Sequence, residues 1–214
     1  MKLRTLALAG AMAALPGSAS AHLVSTGMGP ILDGVAHFAL SADEVLPVIA
    51  LALYAGLCGP KTSRTVLAVI TAAWLAGGLT GLCGLVLPIA DSQIVTAIIF
   101  LVTGSLLVVE AFAIGRSLTA NTEVGPRLAI GAAALLGLVR GNSDAIGFAA
   151  YDTPLLPMTG IVSTVFVVTA LAASVSLPLK STWSRIAVCV TGSWMTAVGV
   201  LLVGWSIHVA QITH

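Results

Sequence analysis

Six apolar windows, each long enough to cross a bilayer as a helix, dominate this 214-residue chain. Spanning the hydrocarbon takes about 20 apolar residues. The windows at 42–59, 65–89, 93–115, 127–150, 157–178 and 186–209 meet that need. Short polar or proline-bearing links join them, at 59–64, 90–92, 116–126, 152–157 and 180–185. Lipid offers no hydrogen bonds, so each window must satisfy its own backbone, as a helix does. Composition excludes a soluble alternative: 58% of residues are hydrophobic and 8% charged, where soluble domains carry about 25% charged residues. A chain this size cannot hide so much apolar surface from water. The expected fold is all-α, a polytopic membrane helix bundle of about six transmembrane helices with the lipid bilayer as solvent. The formal net charge of +1 supplies no basic field for nucleic acid.

The N-terminus reads as an export signal. Lys2 and Arg4 precede the apolar run Leu6–Leu15, Pro16 and Gly17 break it, and Ala19-Ser20-Ala21 fits the small-residue cleavage rule. Residues 1–21 are thus expected to be a cleaved signal peptide, leaving His22 first, with an uncleaved anchor as the alternative. Residues 22–41 form an outer-face lead-in. Within it Gly27–Leu40 is too short to cross and predicts an interfacial or re-entrant helix. Residues 42–214 form the bundle. With the mature N-terminus outside, the three inner loops hold Lys61, Arg64, Arg116, Arg127, Lys180 and Arg185. The outer loops hold Asp91 and Asp152 and, like the C-terminal tail, no Lys or Arg. That asymmetry obeys the positive-inside rule. It places a multi-pass protein in a bacterial inner membrane with both mature termini in the periplasm. Three spans per half is the arithmetic of an inverted repeat, although the halves share no visible sequence.

Charges inside a bilayer cost at least ~2.5 kcal/mol each on insertion scales, so the few here are functional candidates. Asp33, His37, Asp43 and Glu44 form one group; Arg140, Asn142, Ser143 and Asp144 form another; Glu110 stands alone. Helical rise places both groups toward the outer side and Glu110 toward the inner side. His37, Ser41 and Glu44 share a face if one helix runs through them, with Asp33 one turn earlier. Pro47 lacks an N–H, which frees the carbonyl of Asp43. An imidazole, carboxylates and a free carbonyl suit a first-row divalent cation, so His37, Asp43 and Glu44 are the candidate metal ligands. Asp33, Glu110, Arg140 and Asp144 are candidates for a pathway or a charge pair. Four carboxylates, Asp43, Glu44, Glu110 and Asp144, oppose Arg140 alone, which calls for a bound cation or retained protons. The structural alternatives stay open: Asp43 and Glu44 as first-turn interface residues, Arg140 and Asp144 as an i, i+4 ion pair, Glu110 as a protonated residue near the interface and His37 as a hydrogen-bonded core residue. Cys58, Cys83 and Cys189 lack CxxC spacing and read as packing residues. The runs Ala76–Gly84 and Gly131–Gly137 are small-residue packing signals. Trp183 and Trp205 fall near predicted interfaces, whereas Trp74 and Trp194 do not.

The stretch Gly34-Val35-Ala36-His37-Phe38-Ala39-Leu40-Ser41-Ala42-Asp43-Glu44, behind the Ala21-His22 junction, resembles the HupE/UreJ family of hydrogenase and urease accessory membrane proteins. His37 and Asp43 match the first histidine and the aspartate of that family's H-P-x-x-G-x-D-H pattern. LPVIALALYAGL fits its first span. Glu44 stands in place of the second histidine, Ser41 in place of the glycine and Phe38 in place of the proline. In the fourth span Arg140 and Asp144 keep the i, i+4 spacing of a family histidine pair but replace both histidines. A fifth-span histidine is replaced within Thr169–Ser174. The resemblance implies a nickel or cobalt permease, with the metal as cargo and no permanently bound cofactor. Only His37 and Asp43 carry over directly. The other reading is a non-transporting subunit or assembly factor of a larger membrane complex, or a homo-oligomer. No nucleophile-plus-base arrangement suggests an enzyme.

Overall fold

The computed structural model describes residues 26–85, 87, 92–115, 124–149, 151–176 and 182–212. The expected signal peptide, His22, Asp91, Arg116, Lys180 and His214 lie outside them. The described residues form seven helices and no strand: α1 (Pro30–Leu40), α2 (Ala42–Leu57), α3 (Pro60–Leu82), α4 (Gln93–Gly115), α5 (Val124–Phe148), α6 (Leu155–Ser176) and α7 (Thr182–Ile212). Helices α3 to α7 are each long and apolar enough to cross a membrane. Large apolar side chains turn outward along them, including Leu135, Leu171, Val190 and Leu201, each more than 60% exposed. Water would not tolerate that coat; lipid tails do. Trp183, Trp194 and Trp205 are also exposed, whereas Trp74 is fully buried.

The first expected span needs correction. Helix α2 has 16 residues and passes as a span only together with α1, from which it is bent by 74°. Ser41 makes the break. Its backbone N–H donates to the carbonyls of His37 and Phe38, at 3.1 Å each, and its hydroxyl donates to His37 at 2.7 Å. Its own carbonyl then accepts from Glu44 and Val45 at 2.9 and 3.0 Å, which starts α2. One serine therefore ends one helix and begins the next, so the continuous helix expected through His37, Ser41 and Glu44 does not form. Glycine–proline pairs open α1 and α3. Gly29 and Gly59 take φ of 107° and 115°, a region open to glycine, and the proline ring then presets the first helical turn.

Close backbone approach organises the bundle. Helix α3 packs mainly on α5, α4 on α7, and both α1 and α2 on α6. Between α3 and α5 the small residues face one another. A Cβ on Gly77 would collide with the Leu138 carbonyl, and one on Gly141 with the Trp74 carbonyl. In lipid there is no hydrophobic drive between helices, so such dispersion-rich contacts do the holding. Exchanging the two halves turns the α2–α6 pair into α5–α3 and leaves α4–α7 as itself. The α2–α4 contact has no α5–α7 counterpart among the described residues, so the halves pack similarly without being equivalent.

Candidate metal site

The bend at Ser41 brings the end of α1 over the start of α2. His37 Nε2 lies 3.7 Å from Glu44 Oε1 across that bend, and 3.7 Å from Asp144 Oδ1 on α5. One ligand atom from each of the three lies within 4.8 Å of the others. The cluster is closed on the α5 side, where the Asp144 side chain is 2% exposed, and more open at His37, at 12%.

Two of the three members are held by neighbours. Trp74 Nε1 on α3 donates to Asp144 Oδ2 at 2.7 Å, turning the other carboxylate oxygen toward His37. The close α3–α5 approach at Gly141 makes that bond reachable. Phe148, one turn beyond Asp144, meets the His37 ring edge to face at 5.3 Å. His37 Nδ1 and Glu44 Oε2 are two of four buried side-chain atoms with no hydrogen-bond partner among the described residues, the others being Arg140 Nε and Thr169 Oγ1. Orphans of that kind are rare in a finished polar network. Together with two carboxylates converging on one imidazole in a buried site, they fit a cluster that takes up a cation.

The remaining candidates fall elsewhere. Asp43, expected beside His37 and Glu44, pairs with Arg140: Nη1 lies 3.2 Å from its Oδ2. Arg140 Nη2 donates to the Asp43 carbonyl at 3.3 Å and to Thr96 Oγ1 at 3.0 Å. The carbonyl that Pro47 frees is thus taken by the guanidinium, and Asp43 is half-exposed. The i, i+4 pair of Arg140 with Asp144 is likewise not formed among the described residues, because each side chain has a better-placed tertiary partner. Asp33 accepts from the backbone N–H and hydroxyl of Thr26 and from Tyr151 Oη at 3.3 Å. It fastens the lead-in to the α5–α6 link rather than joining His37. Burial, and then the Asp33 carboxylate, push the Tyr151 phenol above its ordinary range. Asn142 accepts from the Leu87 N–H at 2.9 Å and donates to the Leu85 carbonyl at 2.8 Å, which pins the chain after α3. Glu110 is buried on α4, near the far end of the bundle. Trp74 is the residue that sequence reasoning passed over. Its one signal was a polar N–H carried in mid-span, away from either interface.

A multi-helix membrane bundle enclosing one imidazole and two carboxylates is the class of protein this structure defines. The chain belongs to the HupE/UreJ family: the family model described as HupE / UreJ protein matches residues 10–202. No curated protein and no solved structure matches it.

Proposed function

We propose that the protein is a secondary permease for a divalent first-row cation, nickel or cobalt, in a bacterial inner membrane with both mature termini periplasmic. The observation that carries this is the convergence of His37, Glu44 and Asp144 with two orphaned buried atoms. Neutral imidazole with two carboxylates gives a site of formal charge −2, which a divalent cation neutralises. Arg140 and Asp43 cancel each other beside it. Imidazole nitrogen suits nickel, cobalt and zinc better than magnesium or calcium, and family membership favours nickel and cobalt among these. The cation enters past His37, exchanges water for the two carboxylates and leaves toward the inner face once the bundle opens. The sequence carries no ATP-binding motif, so the driving force is an ion gradient or the membrane potential. The chemistry is binding and passage, not bond-making.

A second reading is a non-transporting subunit of a larger membrane complex. It is favoured by the commitment of Asp43 to Arg140, which removes one of the two residues that match the family pattern from the cluster. Uptake of radioactive nickel and cobalt by cells with and without the chain separates the two. Faster uptake with the chain present supports the permease. Equal uptake, with the protein shown to be in the membrane, rejects it.

A further inference from the structure

We infer that a second cation site, with a sulfur ligand, sits at the opposite end of the same three helices. Glu44, Thr96 and Arg140 mark one end of α2, α4 and α5. Tyr54 on α2, Cys58 just past its C-terminal end, Glu110 on α4 and Gly125 on α5 mark the other. Glu44 and Cys58 stand fourteen positions apart, about 21 Å along the helix. Around Gly125 three donor atoms ring a single point. A Cβ there would lie 3.4 Å from Cys58 Sγ, 3.5 Å from Tyr54 Oη and 3.6 Å from Glu110 Oε2. Tyr54 donates its hydroxyl to the Gly125 carbonyl at 3.2 Å, and the same oxygen is in hydrogen-bonding contact with the Cys58 side chain. Glu110 and Tyr54 are 8% and 3% exposed, and Cys58 is a half-buried free thiol.

A thiol, a carboxylate and a phenol oxygen around one open point form a ligand set for a borderline-soft divalent cation such as cobalt, nickel or zinc. Metal–ligand bonds run about 2.0–2.3 Å, so the sulfur must close by about 1.1 Å and the two oxygens by about 1.3–1.6 Å. The positive end of α5 lies beside the site and opposes a resident cation, which suits exchange rather than tight holding. Between the two ends Leu51, Phe100, Leu107 and Leu136 are buried, so the clusters are separated by an apolar layer. The role of this site as the release point rests on the permease reading; its ability to bind does not.

The ligand chemistry separates the sites. The His37 cluster has only nitrogen and oxygen donors, whereas a Cys58 thiolate on cobalt(II) gives a sulfur-to-metal charge-transfer band. The full-length protein carrying Cys83→Ser and Cys189→Ser is titrated with cobalt(II) alone. A band is expected that disappears in Cys58→Ser, needs at least tenfold more cobalt in Glu110→Gln, and persists in His37→Ala. Absence of the band in the parent, or its survival in Cys58→Ser, overturns the site. Should Cys58→Ser fail to fold, Gly125→Ala decides. Its methyl meets all three donors at ordinary contact distance, so the fold tolerates it, yet it fills the point a cation would take and must abolish the band. A band in the parent protein, with uptake no faster in cells carrying it than in cells without the chain, rejects the permease reading alone. Faster uptake with the parent protein present but no band in that protein rejects this site as a cation site and leaves the permease reading standing.

Discussion

Trp74→Phe removes one atom group from the candidate site and little else. The ring that packs edge to face on Phe38 at 5.7 Å is replaced by another aromatic ring, while the 2.7 Å N–H bond to Asp144 Oδ2 is lost. A hydrogen bond to a charged acceptor contributes about 1.5–3 kcal/mol. Two consequences oppose each other. Without its donor, Asp144 keeps more negative charge, which favours a cation. Without its donor, the carboxylate also loses the contact that turns Oδ1 toward His37. The oxygen relieved of its bond is the one facing away from the cluster, so the orientational loss wins. Outer partners of ligands are worth about 10–100-fold in metal affinity, or roughly 1.4–2.8 kcal/mol. Calorimetric titration of the purified protein with nickel or cobalt should show the dissociation constant rising by that factor at unchanged stoichiometry. A constant within twofold of the wild type, or tighter binding, with the thermal transition preserved, would refute the claim that Trp74 aims Asp144.

Neighbouring acids should respond very differently. Glu44→Gln removes a proposed ligand and should weaken cation binding by about 100-fold or more, the scale of about 3 kcal/mol for breaking a buried charge pair. Asp43→Asn keeps an oxygen for Arg140 and lies outside the cluster, so its effect should stay under about tenfold, or ~1.4 kcal/mol; equal losses in the two variants, in the same titration, would return Asp43 to the ligand set. Arg140→Met should lower the thermal stability by about 1–2 kcal/mol rather than the 3–5 of a fully buried pair, because Asp43 is half-exposed; a thermal unfolding scan in detergent reads this. Gly141→Ala should cost about 1–3 kcal/mol by overpacking against the Trp74 carbonyl, outweighing the roughly 1 kcal/mol that alanine gains over glycine in a helix; unfolding scans and the yield of folded protein check it, and a stabilised variant would deny the close α3–α5 approach.

What the sequence disclosed follows from which forces are local. Helices α4 to α7 track windows whose length is set by the bilayer, so their positions are readable within a few residues, whereas α3 (Pro60–Leu82) begins five residues before its expected window of 65–89 and ends seven before its close. The break at Ser41 is not, because a serine that closes one helix and opens another looks like any polar residue on a helical face. Pro47 announces a free carbonyl at Asp43, but the partner that takes it, Arg140, lies 97 residues away. The i, i+4 spacing of Arg140 and Asp144 suggested a local pair; Trp74, His37 and Asp43, brought in by packing between helices, decide otherwise. Glu110 looked isolated because Tyr54 and Cys58 carry no formal charge and so gave no signal in a search for charges.

Under the proposed function, His37, Glu44 and Asp144 carry a cation through the bilayer. Purified protein reconstituted into liposomes, with radioactive nickel or cobalt outside and a gradient imposed, tests this most directly. The wild type should accumulate the cation well above protein-free vesicles, with His37→Ala and Glu44→Gln at the vesicle background and Asp43→Asn close to the wild type. Equal flux in wild type and Glu44→Gln, with both proteins folded and inserted, would contradict it.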